Sequence, residues 1–274
     1  MPFPSNALAA APLHAVTAGA GPTVVCLHSS GSSSGQWRRL IESAQADYSF
    51  VAFDLHGHGR SPDYAGDRYA LRSESDAVLQ GLPLSNAPVH LVGHSYGGAV
   101  AIDLAVRHPG RFASVTVFEP VLFALLDRAS AEFGEITSVG FDIIGAARAG
   151  ELRAASAIFI DYWNGTGAWR GLPVEQQERV RARIHAIARH FEALFADPLP
   201  LERLRALRVP TRVLLGDRSP APARAVGRHL GALSFVTTEV LPGLAHMGPV
   251  THPALVNALI TGHLETFSTL RIAA

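Results

Sequence analysis

The sequence contains no lysine and a single cysteine, and each shortage excludes a class of chemistry. Without lysine the chain cannot form a Schiff base with pyridoxal phosphate, and it lacks the phosphate-binding lysine of a P-loop. Cys26 alone can build neither a disulfide framework nor a thiolate zinc site. The 23 basic and 23 acidic residues cancel, so no excess charge favours nucleic acid as a partner. We therefore expect a small-molecule substrate.

Charge is also scarce, because charged residues are 17% of the 274 residues, against about 25% in an average domain. This scarcity is compatible with an apolar surface that is covered in a homodimer. No window approaches the roughly 20 uninterrupted apolar residues that a membrane span needs. The first eleven residues lack the basic start of a signal peptide. We predict a cytoplasmic protein without a membrane partner.

Two patterns of apolar residues divide the chain into a segment with alternating strands and helices on each side of a helical segment. In the first 120 residues, short apolar runs alternate with helical segments, which favours a mostly parallel central sheet flanked by helices. The same alternation resumes after residue 208. Between them the pattern is helical, with few β-branched runs. We predict one α/β core from residues 1–120 and 208–274, with a helical lid inserted at 121–207.

The strongest motif is Gly93-His94-Ser95-Tyr96-Gly97, which matches G-x-S-x-G between a predicted strand and a predicted helix. A serine on such a sharp turn projects its Oγ from the sheet, and glycine on either side lets strand and helix approach closely. At the helix start, the amide of Tyr96 faces the oxygen on which negative charge develops. We predict that Ser95 is a nucleophile.

His246 is the candidate general base. It lies in the loop between the last predicted strand and the last predicted helix. A serine hydroxyl is a poor nucleophile near neutral pH, and an imidazole with a pKa of about 6.5 can take its proton and deliver it to the leaving group. His252 is the nearest alternative in sequence, and its position beside Pro253 makes it the weaker candidate.

Four segments carry a resemblance to a known family. They are HSSG at 28–31, DLHGHGRS at 54–61, the motif around Ser95, and GLAH at 243–246. In these segments the chain resembles the α/β-hydrolase superfamily, in particular its lidded bacterial esterase and haloperoxidase-like members. The resemblance implies a lid after the sixth strand, a second oxyanion donor from the amide of Ser30, and catalysis without a cofactor.

An H-x-H pair, His56 and His58, lies within the second of these segments. Such a pair occurs in binuclear metal sites, but the further His and Asp ligands of those sites are missing here. We therefore expect no metal, and we assign this segment to turn formation.

The acid that would orient His246 has two candidates. The family usually places it in a G-x-x-D turn after the strand that begins at Thr211, but here Ser219 occupies that position and Asp217 lies two residues earlier. Glu119 ends the preceding strand, and a carboxylate at an apolar strand end needs a partner. Both candidates fit the chain order of nucleophile, acid and base. Glu119 is the preferred acid, because Asp217 requires a shifted turn.

Tyr162 and Trp163 lie in the predicted lid, near two glycines. They are candidate substrate-binding residues, although aromatic side chains in a helical insert more often belong to the core.

These residues together predict a serine hydrolase that cleaves a small carboxylic ester through an acyl-enzyme. The family also includes C–C bond hydrolases, lactonases and perhydrolases with the same triad, and the fold does not separate them. A non-catalytic ligand-binding member of the fold is the other alternative. It would be favoured if neither Glu119 nor Asp217 lay near His246.

Overall fold

One sheet runs through the part of the chain that the structure, a computed structural model, describes: residues 12–66, 68–82, 87–196, 199 and 201–269. Residues 1–11 of the predicted core lie outside the described residues, as do residues 270–274. Seven strands form this sheet within the described ranges: β1 (Ala15–Ala18), β2 (Thr23–Leu27), β3 (Ser49–Phe53), β4 (Val89–His94), β5 (Phe112–Phe118), β6 (Thr211–Gly216) and β7 (Val236–Leu241).

The strand order is β1-β3-β2-β4-β5-β6-β7, and every neighbouring pair is parallel except the antiparallel edge pair of β1 and β3. Parallel strands covered by helices are buried on both faces, and accordingly all six residues of the central strand β4 are buried. The predicted mostly parallel sheet is confirmed.

Helices cover both faces of the sheet and also fill the segment between β5 and β6. They are α1 (Arg38–Ala44), α2 (Leu71–Gln80), α3 (Tyr96–Arg107), α4 (Ala131–Arg148), α5 (Leu152–Asn164), α6 (Ala168–Gly171), α7 (Val174–Ala196), α8 (Leu201–Arg205), α9 (Ala221–Gly231), α10 (Gly248–Thr251) and α11 (Pro253–Thr269). None of the helices in the described ranges is both long and apolar enough to cross a bilayer.

Alternate residues of β2 show how the two faces are filled, because successive side chains of a strand point in opposite directions. Val25 and Leu27 join the apolar cluster that includes α2, α3 and α9. Val24 and Cys26 join a second cluster with α1 and α11. Burial raises the pKa of the Cys26 thiol, so this side chain packs as a small apolar group.

Helices α4 to α8 form the helical insert, which follows β5 directly. Within the described residues β5 is the fifth strand, whereas the resemblance implied an insertion after a sixth. Among the described residues, β1 is the single strand ahead of β2 in the chain. The insert therefore leaves the sheet at the carboxyl end of β5, next to the carboxyl end of β4.

Candidate active site

Ser95 occupies the sharp turn between β4 and α3, with φ 55° and ψ −117°, a backbone conformation that non-glycine residues rarely adopt. The flanking glycines make this turn possible. A Cβ on Gly93 would lie 2.6 Å from the carbonyl oxygen of Gly97, and one on Gly97 would lie 2.4 Å from that of Leu27. The strand and the helix thus meet more closely than any side chain allows, and the strained turn is held by the Ser95 amide, which donates to the carbonyl of Phe118 at 3.0 Å.

Glu119 and His246 form a buried pair. Glu119 follows β5 with a positive φ of 44° and is fully buried. Its Oε2 lies 2.7 Å from Nδ1 of His246, and its Oε1 accepts hydrogen bonds from the Gly216 amide at 2.6 Å and from the Ser219 hydroxyl. The carboxylate is therefore saturated with donors, and Nε2 is the imidazole nitrogen left for other chemistry.

Asp217 lies apart from this pair. Its Oδ1 accepts a hydrogen bond from the Gly243 amide at 2.8 Å, at the protein surface. Of the two acid candidates, the structure brings Glu119 to His246, while Asp217 ties one turn to the loop that carries the histidine.

The backbone on both sides of Ser30 is fixed by side chains. The Ser29 amide donates to Oε1 of Gln36 at 3.1 Å, and the Gly31 amide donates to Nε2 of His58 at 3.0 Å. Ser30 and Ser95 line the same cavity. The residues predicted to carry the two oxyanion amides, Ser30 and Tyr96, are thus held by the loop after β2 and by the start of α3.

His94, the variable position before the nucleophile in the motif, connects two loops of the site. Its Nδ1 accepts from Nε2 of Gln36 at 3.2 Å, and its Nε2 donates to the carbonyl of His246 at 2.8 Å. Burial lowers the pKa of His94 well below its ordinary value, so the ring is a neutral connector. Sequence reasoning missed this residue, because the motif leaves the position unspecified.

The H-x-H pair is used for structure. His56 Nδ1 pairs with the buried carboxylate of Glu74 at 2.9 Å, and His58 Nδ1 donates to the carbonyl of His56 at 2.9 Å. Burial lowers the pKa of His58 to about 3. Among the described residues there is no group of three or more His, Cys, Asp or Glu side chains placed to hold a metal ion.

A cavity of about 210 Å³ opens beside Ser95 and His246. Trp163 of α5 lines it and stacks on the His246 ring, with centroids 3.9 Å apart and planes inclined by 28°. Tyr162 instead donates its hydroxyl to Glu135 on α4 at 2.8 Å. Much of the rest of the cavity lining is apolar and includes Val121, Phe123, Phe159, Phe191 and Leu194.

Side chains of helix α7 in the insert form hydrogen bonds with the loop that contains Ser30. Arg183 donates from Nη1 to the carbonyls of Gly31 at 3.2 Å and Ser32 at 3.3 Å. About two turns further along α7, Nδ1 of His190 lies 2.7 Å from Oγ of Ser30. Sequence reasoning also missed His190, although its place on the apolar stripe of a long amphipathic helix was the available signal.

Comparisons with known proteins show which family the chain matches. A model of the alpha/beta hydrolase family matches residues 24–259. RutD of Variovorax paradoxus, a carbamate hydrolase by name, is 29% identical over 262 residues, which are 90% of this chain and 93% of that protein. The pimeloyl-[acyl-carrier protein] methyl ester esterase of Methylococcus capsulatus is 37% identical over 101 residues, 37% of this chain and 38% of the esterase.

Other matches are partial or distant. The chain spans only 22%, 23% and 38% of the length of three of the curated relatives it matches. Among solved structures, the enol-lactonase from Burkholderia xenovorans superposes with a TM-score of 0.73 over 92% of this chain and 96% of that chain, at 19% identity. At that identity the likeness concerns the fold alone.

Proposed function

The chain belongs to the alpha/beta hydrolase family, and we propose that it is a serine hydrolase that cleaves a small carboxylic ester through an acyl-enzyme. The observation that carries the proposal is the 2.7 Å contact between His246 Nδ1 and Glu119 Oε2, at the wall of a cavity that Ser95 also lines. A nucleophile on a strained turn, a histidine and a buried carboxylate are the three groups that acyl transfer by a serine requires.

In the proposed reaction, Ser95 Oγ attacks the carbonyl carbon of the ester while its proton passes to Nε2 of His246. The resulting imidazolium is stabilised by Glu119, whose contact with Nδ1 keeps the ring in the orientation the transfer needs. The C–O bond to the alcohol then breaks, and His246 returns the proton to the departing oxygen. Water attacks the acyl-enzyme by the same route and restores Ser95.

The negative oxygen of the tetrahedral intermediate is stabilised by the amides of Ser30 and Tyr96. Tyr96 is the first residue of α3, so its amide lies at the positive end of the helix dipole. The helix dipole and the N–H group therefore both stabilise a negative oxygen there. Removal of one such donor in a serine hydrolase costs about 10² to 10³ in kcat. The amide of Ser30 keeps its position through the bonds of Ser29 and Gly31 on either side.

The size of the cavity supports the proposal that the substrate is small. The cavity has a volume of about 210 Å³, which lies below the roughly 300–1,000 Å³ of sites that bind drug-sized ligands. The apolar wall suits a short hydrocarbon acyl chain, because burial of apolar surface supplies most of the binding energy there. The helical insert at 121–207 acts as the lid, and Trp163 is the residue by which it reaches the catalytic histidine.

Acyl or related substrates also occur in the names of the relatives, a methyl ester and a carbamate among them. The ligand-binding alternative would be favoured by an acid remote from His246, and the position of Glu119 does not give it that support.

Hydrolysis of p-nitrophenyl esters from acetate to octanoate by the native protein and by Ser95→Ala tests the proposal. We expect turnover of the short esters by the native protein and a loss of about 10⁶-fold in kcat in the variant. Far-UV circular dichroism confirms that both are folded. Equal hydrolysis by the two proteins contradicts the proposal, because the reaction would then not depend on the serine.

A further inference from the structure

His190 contains a buried polar atom that has no partner. The side chain is 1% exposed, and its Nε2 makes no hydrogen bond with any of the described residues. An unpaired polar atom in a protein interior destabilises the fold, so such an atom calls for an explanation.

The position of His190 links the two residues to which the proposed function assigns the oxyanion amides. Its Nδ1 lies 2.7 Å from Oγ of Ser30. Its ring also stacks on Tyr96, with centroids 3.6 Å apart and planes inclined by 8°. One side chain from the helical insert thus contacts both sides of the proposed oxyanion site.

The ring of His190 is neutral. Burial lowers its pKa well below the ordinary value, and the neighbouring His58, His28 and Arg189 lower it further. The rings that face it are those of His58, Tyr69 and Tyr96, and none of them carries a negative charge that would oppose this shift. A neutral imidazole carries one N–H, so the pair of Ser30 and His190 holds two polar hydrogens between them.

One of these two hydrogens makes the bond between Nδ1 and Oγ, and the other is left over. If Ser30 donates to Nδ1, the second hydrogen lies on Nε2, which is buried and has no hydrogen-bond partner among the described residues. If Nδ1 donates to Ser30, the second hydrogen lies on Oγ of Ser30, which is half-buried at the cavity wall. A negative oxygen in the cavity can accept only from the second arrangement, and its presence therefore favours that arrangement.

We propose that the hydroxyl of Ser30, held by Nδ1–H of His190, is a third hydrogen-bond donor to the oxyanion. The inference rests on the proposed function, because it needs a negative oxygen between the amides of Ser30 and Tyr96. It assigns the Ser30 side chain a catalytic role and makes His190 a positioning residue.

The rate of inactivation by a p-nitrophenyl alkylphosphonate tests the inference without knowledge of the natural ester. Ser95 Oγ bonds to phosphorus, its proton passes to His246, and p-nitrophenolate leaves, while the phosphonyl oxygen occupies the oxyanion position. We expect Ser30→Ala to lower the second-order rate constant by about 10- to 100-fold, at or below the loss of about 10²- to 10³-fold in kcat that follows removal of one oxyanion donor in a serine hydrolase. Ser30→Thr, which retains a hydroxyl, should recover most of the rate.

His190→Phe keeps an aromatic ring against Tyr96 and removes both ring nitrogens. We expect it to slow inactivation as much as Ser30→Ala does, and the double variant to be no slower than either. If His190 has only a structural role, His190→Phe should be inactivated at the native rate while its free energy of unfolding changes. If His190 positions the Ser30 hydroxyl, the variant should be inactivated more slowly. Its free energy of unfolding should stay the same or rise, since the unpaired Nε2 is gone. Urea denaturation distinguishes these two results.

Ser33→Ala is the matched control, because it removes a hydroxyl from the same loop outside the cavity wall, and its rate should stay within twofold of the native rate. A Ser30→Ala rate within twofold of native overturns the inference while leaving the proposed function intact. A native rate in His190→Phe overturns the role of His190. Native protein that the phosphonate does not label at Ser95 contradicts the proposed function, and the inference with it.

Discussion

Ser219 donates its hydroxyl hydrogen to Oε1 of Glu119, from the position in the turn after β6 where the family pattern places an acid. The acid thus lies at the end of β5, and a hydroxyl stands at the position that the family pattern gives to the acid after β6. Because β5 and β6 are parallel neighbours, their carboxyl ends lie side by side, and a carboxylate on either one can reach the same histidine. Glu119 supplies that carboxylate, and Ser219 helps to hold it.

The two acid candidates give opposite expectations on substitution. Glu119→Gln keeps the shape of the side chain but removes the charge that stabilises the His246 imidazolium, so we expect kcat to fall by about 10³- to 10⁴-fold. Asp217→Asn is the matched control at the other candidate, and we expect less than a threefold change. Steady-state kinetics on one short p-nitrophenyl ester checks both, and the reverse ranking would refute the assignment.

Sequence patterns predicted the sheet, the turn at Ser95 and the loop of His246, because each depends on local spacing of glycines and apolar runs. They left the acid open, since spacing along the chain does not say which of two neighbouring strand ends carries the carboxylate. Adjacent helix residues also point about 100° apart. Trp163 therefore stacks on His246 while the Tyr162 hydroxyl bonds Glu135, although the two aromatic rings are in edge contact with each other.

The connections of His94 and His190 could not be predicted from sequence. Their partners lie more than 100 residues away along the chain, at His246 and Ser30. Such contacts arise only when the insert and the loops have packed together, and no local periodicity records them. The mostly parallel sheet, by contrast, could be predicted, because short apolar runs alternate with helical segments on both sides of the insert.

Leu194 lies at the active-site cavity and at a second groove with a mostly apolar lining. It lines both, and the groove also includes Leu126, Phe141 and Phe195. We expect Leu194→Ala to join the two spaces and to shift the preferred p-nitrophenyl ester towards longer acyl chains, because the longer chain then buries more apolar surface. The kcat/KM values from acetate to octanoate measure this shift.

Leu204→Ala in α8 is the control for that experiment. Both leucines are buried, and truncation of either should cost about 2–5 kcal/mol of the free energy of unfolding. Only the change at Leu194 should alter chain-length preference. An unchanged preference in folded Leu194→Ala would show that the groove does not communicate with the cavity.

Buried neutral histidines make the fold sensitive to acid. Burial lowers the pKa of His28, and of His263, to about 4, and that of His58 to about 3. Below the ordinary value of about 6.5 the unfolded chain binds these protons and the folded chain does not, so the free energy of unfolding falls as the pH falls. The expected loss is about 1.4 kcal/mol per pH unit for each such histidine between pH 6.5 and its own pKa in the folded protein.

Urea denaturation at several pH values between 8 and 4.5 measures this loss. His263→Gln provides the comparison, because His263 bonds Thr116 Oγ1 and neither residue lines the active-site cavity. The variant should lose stability less steeply below pH 6.5, by about 1.4 kcal/mol per pH unit. Identical slopes in the two proteins would mean that His263 is protonated in the folded state.

The most direct test of the proposed acyl-enzyme mechanism is to locate the acyl group during turnover. The native protein is mixed with p-nitrophenyl acetate and quenched in acid within the first turnovers, and peptide mass spectrometry then locates the acetyl group. The account predicts acetylation of Ser95, and none at that peptide in Ser95→Ala. Hydrolysis that proceeds with Ser95 unmodified, or with the acetyl group on another side chain, would contradict it.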